Sequence, residues 1–152
     1  MLSGFAGGEA AEACFVENLR YAADAAAPRG HTILIEPLNH HDAPGYFLNH
    51  TEKARRIIEA VGAPNLKLMF DCYHIQILEG DLTRRIDANL DITGHIQFAG
   101  VPSRGRPDMG EVNYAHIFAH LAVRGYDAPL GAEYRPEAGN TDASLGWMAA
   151  LR

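Results

Sequence analysis

Cysteine is scarce: Cys14 and Cys72 are the two in 152 residues. That is too few for a disulfide framework, and no Cys-x-x-Cys pair suggests a structural zinc site. Long apolar runs are missing too, and none approaches the roughly 20 residues that a membrane span needs. The opening residues lack the basic flank and apolar core of an export signal. These absences lead us to expect a cytoplasmic protein with reduced thiols and no membrane association. Positive charge is not in surplus either: 13 Lys and Arg face 19 Asp and Glu, for a net charge of -6. The basic residues are scattered rather than massed, which argues against nucleic-acid binding and leaves a small anionic substrate open. Linkers, low-complexity tracts and internal boundaries are absent as well. We expect one domain over residues 1–152, with 47% hydrophobic residues to build its core.

What is present alternates between helix-like and strand-like stretches. Residues 1–8 are Gly-rich and read as frayed. A helix is expected from Glu9, with Phe15, Leu19 and Tyr21-Ala22 near helical spacing, stopped by Pro28 and Gly30. A strand, Thr32 to Ile35, ends on Glu36, and a loop with Pro44-Gly45-Tyr46 follows. The next helix runs from about Thr51, a suitable N-cap, to Val61, with Gly62 just past its end. Leu66 to Phe70 form a strand ending on Asp71. A helix near Leu82–Leu90 leads to a strand at His95-Ile96 that ends on Gln97. Gly100 to Gly110 read as a loop over the strand ends. A helix from Tyr114 to Val123 brings the chain to Pro129–Ala132, a strand ending on Glu133. A short helix near Ala143–Leu151 closes the order α-βα-βα-βα-βα. Four parallel strands with right-handed crossovers fit a small open sheet or one half of an eight-stranded barrel.

In such a sheet the carboxyl ends of all strands lie on one face, where ligands bind. Glu36, Asp71, Gln97 and Glu133 fall there together, and their oxygens suit a hard divalent cation such as Mg²⁺ or Mn²⁺. His74, three residues past Asp71, is placed to meet a metal or a substrate oxygen. Asn39-His40-His41-Asp42 could supply supporting hydrogen bonds. Arg104 and Arg106, in the loop after Gln97, could clamp a carboxylate or hydroxyls. His31, His50, His95, His116 and His120 carry no functional expectation, and Trp147, Phe118 and Phe15 read as core. Cys72 reads as a small buried hydrophobe, because no base stands at a suitable spacing.

The segments Ile35-Glu36-Pro37-Leu38-Asn39-His40, Phe70-Asp71-Cys72-Tyr73-His74, Gly94-His95-Ile96-Gln97, Gly110-Glu111-Val112-Asn113-Tyr114 and Ala132-Glu133-Tyr134-Arg135-Pro136 add a resemblance. In their order and spacing they resemble hydroxypyruvate isomerases, of the xylose-isomerase-like TIM-barrel superfamily with sugar 3-epimerases as relatives. The resemblance implies that Glu36 and Glu133 are the catalytic acid/base pair. It implies a metal set of Glu36, Asp71, Gln97 and Glu133, with His74 and Arg104 contacting a small hydroxy-oxo acid substrate. Gln97 stands where the sugar epimerases carry His, which favours the hydroxypyruvate branch.

The resemblance also implies that the chain is the second half of a (βα)8 barrel, a partial TIM barrel of about four βα units truncated at its N-terminus. The open edges would then invite self-association, and inward-facing residues such as Ile33, Leu68 and Ile96 would lose packing partners. Two rival readings follow. One is a non-catalytic half-barrel remnant. The other is an endonuclease IV-like phosphodiesterase, which would need more His and Asp at the strand ends and a basic surface.

Overall fold

The computed structural model describes residues 7–149 and 151. The fraying expected of residues 1–8 therefore falls mostly outside the described residues. In α1 (Glu9–Ala26) the buried Phe15, Leu19 and Ala23 recur every four residues, the stripe a helix turns toward a core. A short 3-10 turn containing Pro28 then ends in Gly30 at φ 68°. The chain enters β1 (Ile33–Ile35), and α2 (Thr51–Val61) follows, closed by Gly62 at φ 71°. That left-handed conformation is cheap only for glycine. Thr51 is the first residue of α2 rather than its cap, which is His50. A distant carboxylate does the capping: Glu79 accepts from Thr51 N at 2.7 Å and from its hydroxyl at 2.9 Å.

β2 (Leu66–Asp71) passes directly into α3 (Cys72–Leu78), a helix in a stretch to which the sequence reading assigned no element. Next come α4 (Leu82–Asn89), β3 (Thr93–Phe98), α5 (Tyr114–Val123) and β4 (Leu130–Ala132). Gln97 thus lies inside β3, one residue before its end. The closing helix starts earlier than expected, as α6 (Thr141–Ser144), and continues as a 3-10 segment to Ala149. No helix among the described residues is long and apolar enough to cross a membrane.

All four strands are parallel, in the order β1-β2-β3-β4. Successive side chains alternate between the two faces of a sheet. Ile35, Leu66, Leu68, Phe70, Ile96 and Phe98 share one face. They are buried with Phe15 and Leu19 of α1, Ile57 and Ile58 of α2, Ile86 of α4 and Leu121 of α5. The core is therefore the layer between sheet and helices. This corrects the expectation for Leu68 and Ile96, which are 0% and 1% exposed. They point at helices, as does Ile33, which packs against the same cluster. The opposite face carries Leu34, Lys67, Met69, His95 and Gln97, all partly exposed. Gly131 keeps that face low, since a Cβ there would meet His95 Nε2 at 2.8 Å.

Candidate active site

Parallel strands deliver their carboxyl ends to a single edge, and the predicted residues arrive there by distinct local means. Asp71 ends β2 and caps α3: its Oδ1 accepts the Tyr73 N–H at 2.9 Å. Because the helix begins at once, His74 lies one turn on, above the carboxylate that starts it. Glu36 follows the last residue of β1. His74 Nε2 lies 3.8 Å from Glu36 Oε1 and 3.8 Å from Asp71 Oδ2, too far for hydrogen bonds. All three atoms are buried and lack a hydrogen-bond partner within the protein. Ligand-type atoms of Glu36, Asp71 and His74 lie within 4.8 Å of one another. Buried polar atoms are seldom left unpaired, so three facing one point mark a place for a ligand.

Glu133 follows β4, and its N–H extends the ladder to Phe98 O at 3.1 Å. Its carboxylate leans into the loop between β3 and α5, where Arg104 Nη2 donates to Oε2 at 2.7 Å. The same Nη2 lies 3.7 Å from Asp71 Oδ2, and Nη1 lies 3.5 Å from Asp42 Oδ2. One guanidinium thus serves three carboxylates and lies over the Tyr73 ring, 5.1 Å from its centroid. The Arg104 backbone, at φ 54°, is tied down by the Arg135 N–H, which donates to Arg104 O at 2.7 Å. Gln97 is in register with Asp71 on one side and Gly131 on the other, which puts its side chain on the Asp71 face.

Other candidates separate cleanly. Arg106 is occupied by Asp108, at 3.0 and 2.6 Å, so it is not a free clamp. His40 and His41 are exposed and pack on each other with ring centroids 4.0 Å apart. Their neighbours Asn39 and Asp42 do reach the site. Tyr73 escaped the sequence reading, because no spacing rule marks a ring that floors a distant arginine.

Burial dominates the electrostatics. It pushes the Glu36 carboxyl up to about 7, with help from the charges of Asp71 and Glu133 and against Arg104. Asp71 is pushed up to about 6 by burial, opposed by the Tyr73 N–H and Arg104. Burial, then Arg104, draws His74 down to about 4, which keeps the ring neutral. Burial and the neighbouring Asp71 push the Cys72 thiol up, so it is no nucleophile. A cleft of about 240 Å³ opens beside Arg104, Glu133, Tyr134 and Arg135. Larger clefts of about 850 and 580 Å³ lie against α1 and near the start of the strands, and none of the strand-end carboxylates lines them.

The raised carboxyls set a pH dependence. A group with a raised folded pKa holds its proton longer folded than unfolded, so the folded state binds more protons in between. Its contribution is complete below the unfolded value and is lost as pH rises through the folded one. In the absence of divalent cations, stability should therefore fall as pH rises from about 4.5 to beyond about 7. Urea midpoints measured across that range in chelator, for the wild type and Glu36→Gln, test this. A flatter profile in the variant is expected, and identical profiles would show that Glu36 is not the group responsible.

The sequence model of the xylose isomerase-like TIM barrel family matches residues 1–151. A 2-oxo-tetronate isomerase of Cupriavidus necator is 52% identical over 90% of this chain and 52% of its own length. The hydroxypyruvate isomerase of Escherichia coli is 42% identical over 95% of this chain and 55% of its own. The crystal structure of an AP endonuclease, family 2, from Brucella melitensis superposes with a TM-score of 0.89 at 45% identity. It is covered over 95% of this chain and 55% of its own. The chain spans about half the length of the curated relatives it matches. Family model, parallel sheet and strand-end site agree, and the chain belongs to the xylose isomerase-like TIM barrel family.

Proposed function

We propose that the chain carries the catalytic wall of an isomerase that interconverts hydroxypyruvate and 2-hydroxy-3-oxopropanoate through an enediol. The juxtaposition of Glu36 and Asp71 with Arg104 and Glu133 carries this reading. Moving a proton between adjacent carbons requires a base, an acid and positive charge beside two oxygens. Glu36, raised to about 7, is poised to exchange a proton near neutrality. Glu133 reaches in from the other side of Arg104 and serves as its counterpart. His74 and Arg104 contact the substrate, Arg104 being suited to its carboxylate.

The unpartnered Glu36 and Asp71 oxygens fit a hard cation. Glu36, Asp71, Gln97 and Glu133 would hold Mg²⁺ or Mn²⁺, which when bound supplies positive charge at the enediolate oxygens. Four βα units in one sheet, and relatives of twice the length, support reading the chain as half of an eight-stranded barrel. Those same facts favour a second reading, a segment without activity of its own until its edges are paired. An endonuclease-like role finds less support, because His74 is the only histidine grouped with the carboxylates among the described residues.

The test is conversion of hydroxypyruvate in Mg²⁺ or Mn²⁺, with 2-oxo-tetronate run in parallel because one relative is named for it. Cation-dependent turnover that chelation abolishes is expected. A folded, cation-binding chain that turns over neither acid, even when joined to the missing strands, would overturn the proposal.

A further inference from the structure

Asn39 is fully buried in the loop after Glu36, and its amide can point only one way. Oδ1 accepts the backbone N–H groups of His41 and Asp42, each at 3.0 Å, a side-chain-closed turn. The NH2 end must therefore face inward, 3.3 Å from Asp42 Oδ2 and 2.8 Å from His74 Nδ1. The backbone N–H of Asn39 points at the same ring nitrogen, at 3.1 Å. Two donors converge on Nδ1, and a backbone N–H cannot reverse its role. Nδ1 must offer its lone pair, which leaves the proton of the neutral ring on Nε2. Nε2 is the atom facing Glu36 Oε1 and Asp71 Oδ2, without a partner of its own.

We infer that Asn39 is a positioning residue that fixes His74 as an Nε2–H donor to a substrate oxygen and withholds its imidazole from the metal. The donor role rests on the isomerase reading above; the tautomer does not. An imidazole ligates through an unprotonated nitrogen, and Asn39 leaves none facing the carboxylates. Proximity alone groups His74 with Glu36 and Asp71 as a ligand, and the hydrogen bonding opposes that role. What remains is a set of oxygens from Glu36, Asp71, Gln97 and Glu133, which suits Mg²⁺ or Mn²⁺ better than Zn²⁺. The Nε2–H is then available to an oxygen on which negative charge develops.

Asn39→Asp isolates this role. Its carboxylate still accepts from His41 and Asp42, so the turn survives, but an acceptor replaces the donor beside Nδ1. The backbone N–H still donates to Nδ1, so the carboxylate competes with it rather than inverting it, and part of the rings should take the proton on Nδ1 and ligate through Nε2. Nitrogen-15 NMR of the full, histidine-labelled chain reads the tautomer, and calorimetric titrations with Zn²⁺ and Mg²⁺ read the ligand set. The wild type should show His74 protonated at Nε2 and bare at Nδ1. Asn39→Asp should show Nδ1 partly protonated and a Zn²⁺ preference over Mg²⁺ increased relative to the wild type. Its melting temperature should be lowered, because a carboxylate oxygen replaces the amide nitrogen that lay 3.3 Å from Asp42 Oδ2. A wild-type ring protonated on Nδ1 overturns the inference without any variant having to fold. So does an Asn39→Asp chain with wild-type ring signals. A wild type with the Nε2–H ring that fails to isomerise either acid would count against the function and leave the tautomer standing.

Discussion

Glu36→Gln and Glu133→Gln should each lower isomerase turnover by at least about a hundredfold, the range expected for losing an acid/base group. Each substitution keeps the shape and a hydrogen-bonding oxygen while removing the ability to take and return a proton. Neither should unfold the chain. The Glu36 side chain is 26% exposed and resists ionisation where it stands, so an amide there relieves desolvation. The Glu133 side chain is 55% exposed, and its loss leaves Arg104 with Asp71 and Asp42 nearby. KM should move less than kcat, because proton transfer rather than binding is lost. Single-turnover measurements with deuterium at the migrating position would place the loss in the proton-transfer step. Near-normal turnover in either variant would show that the paired-carboxylate mechanism is wrong.

Much of the frame was legible because its signals are local. α2 and α5 run over the expected residues, Thr51–Val61 and Tyr114–Val123, and Gly62 stops α2 as a left-handed glycine should. The four strands sit where the apolar runs put them. The errors came where tertiary context decides. Residues 72–78 received no element from the sequence, and the Asp71 side chain, capping Tyr73 N, starts a helix there. Thr51 lost its capping role to Glu79, 28 residues away. The face of Leu68 and Ile96 was misassigned, since alternation says which residues share a face and not which face meets the helices.

The site divided in the same way. Glu36, Asp71 and Glu133 were readable as strand-end carboxylates, and Arg104 as a loop cation. That Arg104 and not Arg106 enters the site depends on Asp108, which holds Arg106 aside. Asn39 could be suspected only as one of several polar loop residues. Its hold on the His74 ring spans 35 positions, beyond any spacing rule. Functional geometry built from such distant pairs is where sequence reasoning runs out.

On the half-barrel reading proposed above, supplying four further βα units should raise turnover by at least about a hundredfold, the scale of loss that small misplacements of reacting groups cause. β1 and β4 are the outer strands of the sheet, each with one edge unpaired among the described residues. Glu36 and Glu133 follow those two edge strands, so the proposed acid/base pair hangs from the least supported elements of the sheet. β1 and β4 are also the shortest strands, with three residues each. Leu34, Met69 and Gln97, on the face away from the helices, are partly exposed and would be covered inside a closed barrel. Unpaired edges attract other chains, so the 152-residue chain alone should self-associate or melt with weak cooperativity, and isomerise poorly. On that reading, fusing to it the part of the Cupriavidus necator relative that lies outside the matched 52% should close the sheet and fix both carboxylates. Sedimentation at micromolar concentration, thermal melts and the hydroxypyruvate assay, run on the chain and on the fusion, decide the matter. A cooperatively melting monomer whose activity matches that of the fusion would refute the need for closure, and with it the half-barrel reading.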